Sequence, residues 1–167
     1  MKYPKIADEL NKMAKADQDA REKFFAQEEP KKFTFAELVQ PVDEKNYIRI
    51  VEIVDEIGYP TISKVGKKAS FNAWLIVQHH SKGDFQKRCL DLMEKDKEDV
   101  NPQNIAYLKD RILAFAGKKQ IYGTQVKQNE VTKKMELFEV EDMEHLNERR
   151  ESIGLEPIEE YMKQFGA

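Results

Sequence analysis

The feature that most constrains how this chain can fold is the run Ala73-Trp74-Leu75-Ile76-Val77, its most apolar stretch, which ends in Gln78-His79-His80. From Phe71 to Val77 apolar side chains fall on every side of a helix, so the spacing predicts a central helix over about residues 66–80, buried all round. Such a helix carries Gln78 and His79 inward with it. A buried amide or imidazole without a partner costs roughly 1 to 3 kcal/mol, so the remaining chain is expected to bring polar side chains to meet them.

The length of 167 residues suits a single domain, 1–167, with one core. Its 28 basic and 31 acidic residues give a net charge of -3 and are mixed along the chain, as on a solvated surface. No concentrated basic stripe is present, so no nucleic acid partner is expected. No run approaches the roughly 20 apolar residues of a membrane span, and the N-terminus lacks a signal-like apolar segment, so membrane association is not expected either. The single cysteine, Cys89, leaves no internal disulfide and fits a cytoplasmic location; its spacing from Phe85 and Met93 reads as core packing.

Around the central helix the pattern is mainly helical. Ile6, Leu10, Met13, Ala20 and Phe24 predict a first helix over about residues 3–27, ending at Pro30. Asp17 interrupts that apolar stripe, and Arg21 follows it by four, within pairing distance along one face. Residues 31–41 read as an irregular connection, after which Asp43 is expected to cap a second helix that ends at Gly58. Gly66 is expected to permit close approach of another backbone. Asn101-Pro102 starts a further helix with Ile105, Leu108, Ile112 and Phe115 as its buried stripe, while Asp110 and Arg111 share their sides with Ala106, Leu113 and Tyr107. Residues 119–140 are rich in β-branched and aromatic side chains and predict one hairpin, which must pack on helices because two strands alone are marginal in water. Helices resume over about residues 142–165, interrupted by Gly154. The expected fold class is mainly α: a helical bundle around a buried central helix, with one β-hairpin packed on it.

Read together, Asp17-Gln18-x-x-Arg21, Gly58-Tyr59-Pro60-Thr61, Ala73 to His79, Ala106-Tyr107-Leu108-x-Asp110-Arg111, Gln120-x-Tyr122-Gly123-Thr124-Gln125 and Asn147-x-Arg149-Arg150 followed by Gly154-Leu155 form an ordered set. In that set the chain resembles a bacterial family classed only as a domain of unknown function (domain of unknown function 6624), over nearly its whole length. It departs at Tyr59, where the family more usually has tryptophan, and at His80-Ser81, where an alanine-aspartate pair is usual. The resemblance implies a shared domain and supplies no chemistry.

The chemistry has to come from the residues. His79 is the candidate general acid or base, because an imidazole titrates near neutrality and a carboxylate such as Asp17 or Asp110 can fix its tautomer. Arg21 and Arg111 suit an anionic ligand through bidentate bonding, and Gln18, Gln78, Tyr122, Thr124 and Gln125 complete the candidate ligand-binding set. No metal is expected: His79 and His80 point about 100° apart on a helix, and no Cys pair or metal-ligand spacing is present. No cofactor motif is present. The expected function is an enzyme using His79 on a polar or anionic small molecule or a peptide end. The alternative is a non-catalytic ligand-binding or protein-interaction domain whose buried polar network is structural.

Overall fold

The computed structural model describes residues 1–80 and 82–166, so Ser81, one of the positions at which the resemblance breaks, lies outside them. The fold is mainly helical with one antiparallel hairpin, and the chain forms two compact units, residues 1–100 and residues 101–167.

In the first unit, helix α1 (Pro4–Phe25) uses Pro4 in its first turn and buries Ile6, Leu10, Met13 and Asp17. The connection expected to be irregular contains a one-turn helix, α2 (Phe35–Leu38), stabilised by a capping box. Thr34 accepts from the Glu37 amide, while the Glu37 carboxylate accepts from the Thr34 amide. Helix α3 (Gln40–Ile57) starts four residues earlier than expected, with Pro41 in its first turn, so Asp43 is not a cap and its side chain is free for other work. Asn46 is buried on α3 and donates to the Met13 carbonyl of α1 at 3.2 Å, which ties the two helices.

Gly58 ends α3 at φ 69°, and a one-turn helix α4 (Ile62–Val65) leads through Gly66 into α5 (Lys67–His79). Gly66 is needed for its φ of 83° rather than for space, since a β-carbon there would meet only the Met1 sulfur at 3.8 Å. Helix α5 packs against α1, α3, α4 and the following helix α6 (Gly83–Lys95), so it is the hub of this unit. Ala69, Ala73, Trp74, Ile76 and Val77 are buried. Burial is not all round, however: Phe71 is 44 % exposed, its ring tilted against Trp74 at 5.1 Å. A wide aromatic can cover a neighbouring ring with one face and leave the other in water, which periodicity alone does not distinguish. Cys89 and Met93 of α6 are fully buried. No helix among the described residues is long and apolar enough to cross a membrane.

The second unit starts with α7 (Pro102–Phe115), where the Asn101 side chain accepts from the Gln103 amide as an N-cap. Its buried side is rotated from the expected one: Asn104, Ala106, Leu108, Asp110 and Ala114 are inside, and Phe115 is 69 % exposed. Strands β1 (Val126–Gln128) and β2 (Met135–Leu137) pair antiparallel, and Gln120 and Val140 add one bridge beyond them. The hairpin is therefore shorter than the apolar pattern suggests. Helix α8 (Leu146–Ser152) also starts later than its expected residue 142, and Gly154 at φ 74° follows it before α9 (Ile158–Lys163). Val140, Leu146, Ile158 and Tyr161 form this unit's apolar core, with Tyr107 of α7 and Val126 and Leu137 of the hairpin packed on it.

Candidate functional site

At the C-terminal end of α5 the last carbonyls have no intrahelical partners and need donors. The buried amide of Gln86 on α6 supplies them, lying 3.1 Å from the Val77 carbonyl, 3.4 Å from that of Gln78 and 2.7 Å from that of His80. This fixes where Gln78, His79 and His80 leave the helix. Gln78 points into the interior. His80 is buried and stacks on the Tyr47 ring at 3.8 Å, with Glu44 3.5 Å from its Nε2. His79 lies between these two fates, its side chain 24 % exposed.

The partner of His79 is Asp17. Asp17 is 1 % exposed on α1, and its Oδ1 and Oδ2 lie 2.8 and 2.9 Å from His79 Nδ1. Gln18 donates to Asp17 Oδ2 at 2.7 Å, and Arg21 Nη2 lies 3.2 Å from Oδ1. Burial pushes the Asp17 carboxyl up, but the hydrogen bond and charge of His79, the Gln18 amide and Arg21 outweigh it and hold the group below its usual value. Arg21 in turn holds Asp43, both of whose oxygens are within 3.0 Å of Nη2, and its guanidinium lies 5.6 Å over the Phe35 ring. For Asp43 burial outweighs the attraction of Arg21, and the nearby Asp17 charge adds to it, so its carboxyl is raised.

Asp17, Gln18, Arg21 and His79 are thus one hydrogen-bonded group, joined by Asp43, the residue expected to cap the second helix. A signal for Asp43 exists: it precedes the buried Asn46 by three and Ile50 by seven, so the packed stripe of α3 runs back through it. His79 and Asp43 line a cleft of about 630 Å³ together with Phe35, Ala36, Pro41, Glu44, His80 and Lys82.

Within the second unit the candidate residues of that unit make contacts of their own. Asp110, fully buried on α7, accepts from the backbone N–H groups of Ile121, Tyr122 and Thr124 and from the Thr124 hydroxyl, at 2.7 to 3.2 Å. Gln125 donates to the same hydroxyl at 3.1 Å. Tyr122 enters through its backbone, and Arg111 is half-buried on α7 with its guanidinium 5.4 Å over the Phe115 ring. The buried cation here is Arg150, also fully inaccessible, which donates to the carbonyls of Tyr122, Gly123 and Glu156. Arg149 takes the Ile121 carbonyl at 3.0 Å and the Tyr161 hydroxyl takes that of Thr124 at 2.7 Å. Acid on the N–H groups and arginine on the carbonyls brace residues 121–124 as backbone, which is the work Asp110 does in this unit. Arg150 stands in a motif visible in the sequence, but nothing in its local pattern distinguishes it from the half-buried Arg149.

Among the described residues no group of three or more histidine, cysteine, aspartate or glutamate side chains is arranged to hold a metal ion. In comparison with known proteins, residues 4–166 match the model of a family described as a family of unknown function, DUF6624. No curated protein and no solved structure matches.

Proposed function

The chain belongs to that family of unknown function, a membership that assigns no activity, and from the geometry of the cleft we propose that it is an enzyme in which His79 serves as general acid and base. Its substrate would be a polar or anionic small molecule or a peptide end. The observation that carries this reading is a carboxylate 1 % exposed, bonded to Nδ1 of a histidine that lines a cleft. With Nδ1 turned to Asp17, Nε2 is the ring nitrogen left for chemistry. It takes a proton from a hydroxyl, amine or water in the cleft as the bond to the reacting centre forms, and gives it to the leaving group as the next bond breaks. Asp17 keeps its charge throughout and stabilises the imidazolium formed between these steps. Hydrolysis or group transfer both fit that sequence.

Arg21 is occupied by two carboxylates, so recognition of an anionic substrate falls to Lys82 at the cleft edge, with Gln40 as a neutral donor. Asp110, Thr124 and Gln125 brace a loop in this reading and do not touch substrate. A single cysteine supports placing the protein in a reducing compartment such as the cytoplasm.

A second reading is favoured by the same network: a polar cluster this well satisfied can be purely structural, in a binding or interaction domain. Thermal unfolding of the wild type, His79→Ala and Asp17→Asn, each with and without small anions, peptides and nucleotides, separates the two. The enzyme reading expects a ligand that raises the wild-type midpoint and fails to raise that of His79→Ala, and a turnover lost in both variants. No ligand-dependent shift in the wild type, with a large loss of stability in both variants, would establish the structural reading instead.

A further inference from the structure

The surroundings of His79 Nδ1 contain a conflict. Asp17 places two acceptor oxygens at 2.8 and 2.9 Å from it, and Arg21 aims its Nε–H at the same nitrogen from 3.0 Å. One ring nitrogen cannot donate to Asp17 and accept from Arg21 at once. Two arrangements therefore compete. In one, the proton is on Nδ1 and directed at Asp17, and Nε2 carries the lone pair a general base needs. In the other, Nδ1 accepts from Arg21 and Nε2 carries the proton, so that the ring faces the cleft as a donor.

We infer that Asp43 is a positioning residue of this site: by sharing Arg21 Nη2 with Asp17 it balances the guanidinium charge beside His79 and leaves Nδ1–H to Asp17. The inference rests on the acid–base reading of His79. Both Asp43 oxygens sit at 2.9 and 3.0 Å from Arg21 Nη2, and the two side chains are only 13 % and 15 % exposed, so water screens the contact weakly. Charge counting shows the effect. With His79 neutral, Asp17, Asp43 and Arg21 sum to one negative charge, and a proton arriving on Nε2 makes the group neutral. Without Asp43 the same proton would leave a net positive charge beside a desolvated guanidinium. Asp43 itself gains and loses no proton in this sequence, since the proton passes from substrate to Nε2 and from Nε2 to the leaving group. The other titratable groups lining the same cleft are Glu44 of α3, 63 % exposed, and Lys82 and His80 of the segment after α5. None of them touches Arg21 among the described contacts, so none can substitute for Asp43.

The test is a pH titration of the histidine ring signals by NMR on the whole chain, with His79 assigned from the spectrum of His79→Ala. In Asp43→Asn the His79 midpoint should fall by about one pH unit, and the nitrogen shifts of the neutral ring should move from the Nδ1–H toward the Nε2–H tautomer. Asp43→Glu should retain the wild-type midpoint. Arg21→Gln should raise the midpoint, and Arg21→Gln combined with Asp43→Asn should return it to the wild-type value or above. A folded Asp43→Asn with an unchanged midpoint and tautomer would overturn the inference, as would a double variant that falls as far as the single one. If Asp43→Asn fails to fold, Arg21→Gln decides: no rise in its midpoint refutes the charge argument. The outcome is separable from the catalytic reading. A titration that follows Asp43 while no probe is turned over leaves the inference standing and removes the enzyme; turnover that needs His79 while the titration ignores Asp43 does the reverse.

Discussion

Asp17 and Asp110 are both carboxylates inside the protein, and their surroundings give them different tasks. Asp110 meets three backbone N–H groups and a hydroxyl, so Asp110→Ala strands several buried donors and should cost on the order of 3 kcal/mol in denaturant unfolding. Asp17 meets an imidazole that opens to a cleft. His79→Ala should therefore cost less than about 1 kcal/mol, because water can take the place of the ring, whereas Asp17→Asn, at a fully enclosed position, should cost about 1 to 3 kcal/mol. The pH dependence has a definite sign. The folded Asp17 carboxyl lies below its ordinary value, so its contribution is complete above the unfolded value of about 3.9 and is lost as pH falls through the lower folded value. Over that acid range the wild-type midpoint should drop further than that of Asp17→Asn, and equal drops would show that Asp17 gains nothing from its neighbours. At this scale Asp17 and Arg21 were legible as polar residues on a packed face. Asp43 is harder to read, because its place on the packed stripe of α3 is masked by the ordinary explanation of an aspartate in a first turn.

At the scale of elements, type was easier to read than extent. Periodicity gave α1, α3, α5, α6 and α7, since each buries apolar residues at helical spacing. The hairpin strands are only three residues each, although the β-rich sequence runs over twenty positions, because residues 121–124 spend their backbone groups on side chains instead of on a ladder. Gln120 shows this most clearly: its amide accepts from the Gln125 N–H and donates to the carbonyls of Gln125 and Phe138. Pattern reading has no access to such bonds. Gly123 is a second consequence of the brace. It sits at φ 63°, and a β-carbon there would come within 3.2 Å of Ile158 Cδ1 and 3.3 Å of Leu146 Cδ2. Gly123→Ala combines backbone strain with a crowded core and should lower stability by about 2 kcal/mol; a loss under about 0.5 would mean that α8 and α9 move aside without penalty.

For the molecule as a whole, the contrast between a hub helix and a short, partly exposed hairpin predicts uneven protection. Amides in the middle of α5, around Ala73 to Val77, should exchange with solvent only through the largest opening of the first unit, while those of Val126 to Gln128 should exchange far sooner. Comparable rates in the two segments would contradict the hub role of α5. One more property follows from Cys89. It is the only cysteine in the chain, it is fully inaccessible, and burial pushes its thiol up to about 12, so neither access nor ionisation favours attack on a reagent while α6 is in place. The sulfur becomes reactive when that helix leaves the core. A thiol-specific dye would then record, as a single covalent event per molecule, how often the first unit comes apart under native conditions, and the natural sequence carries this clock without any engineered label.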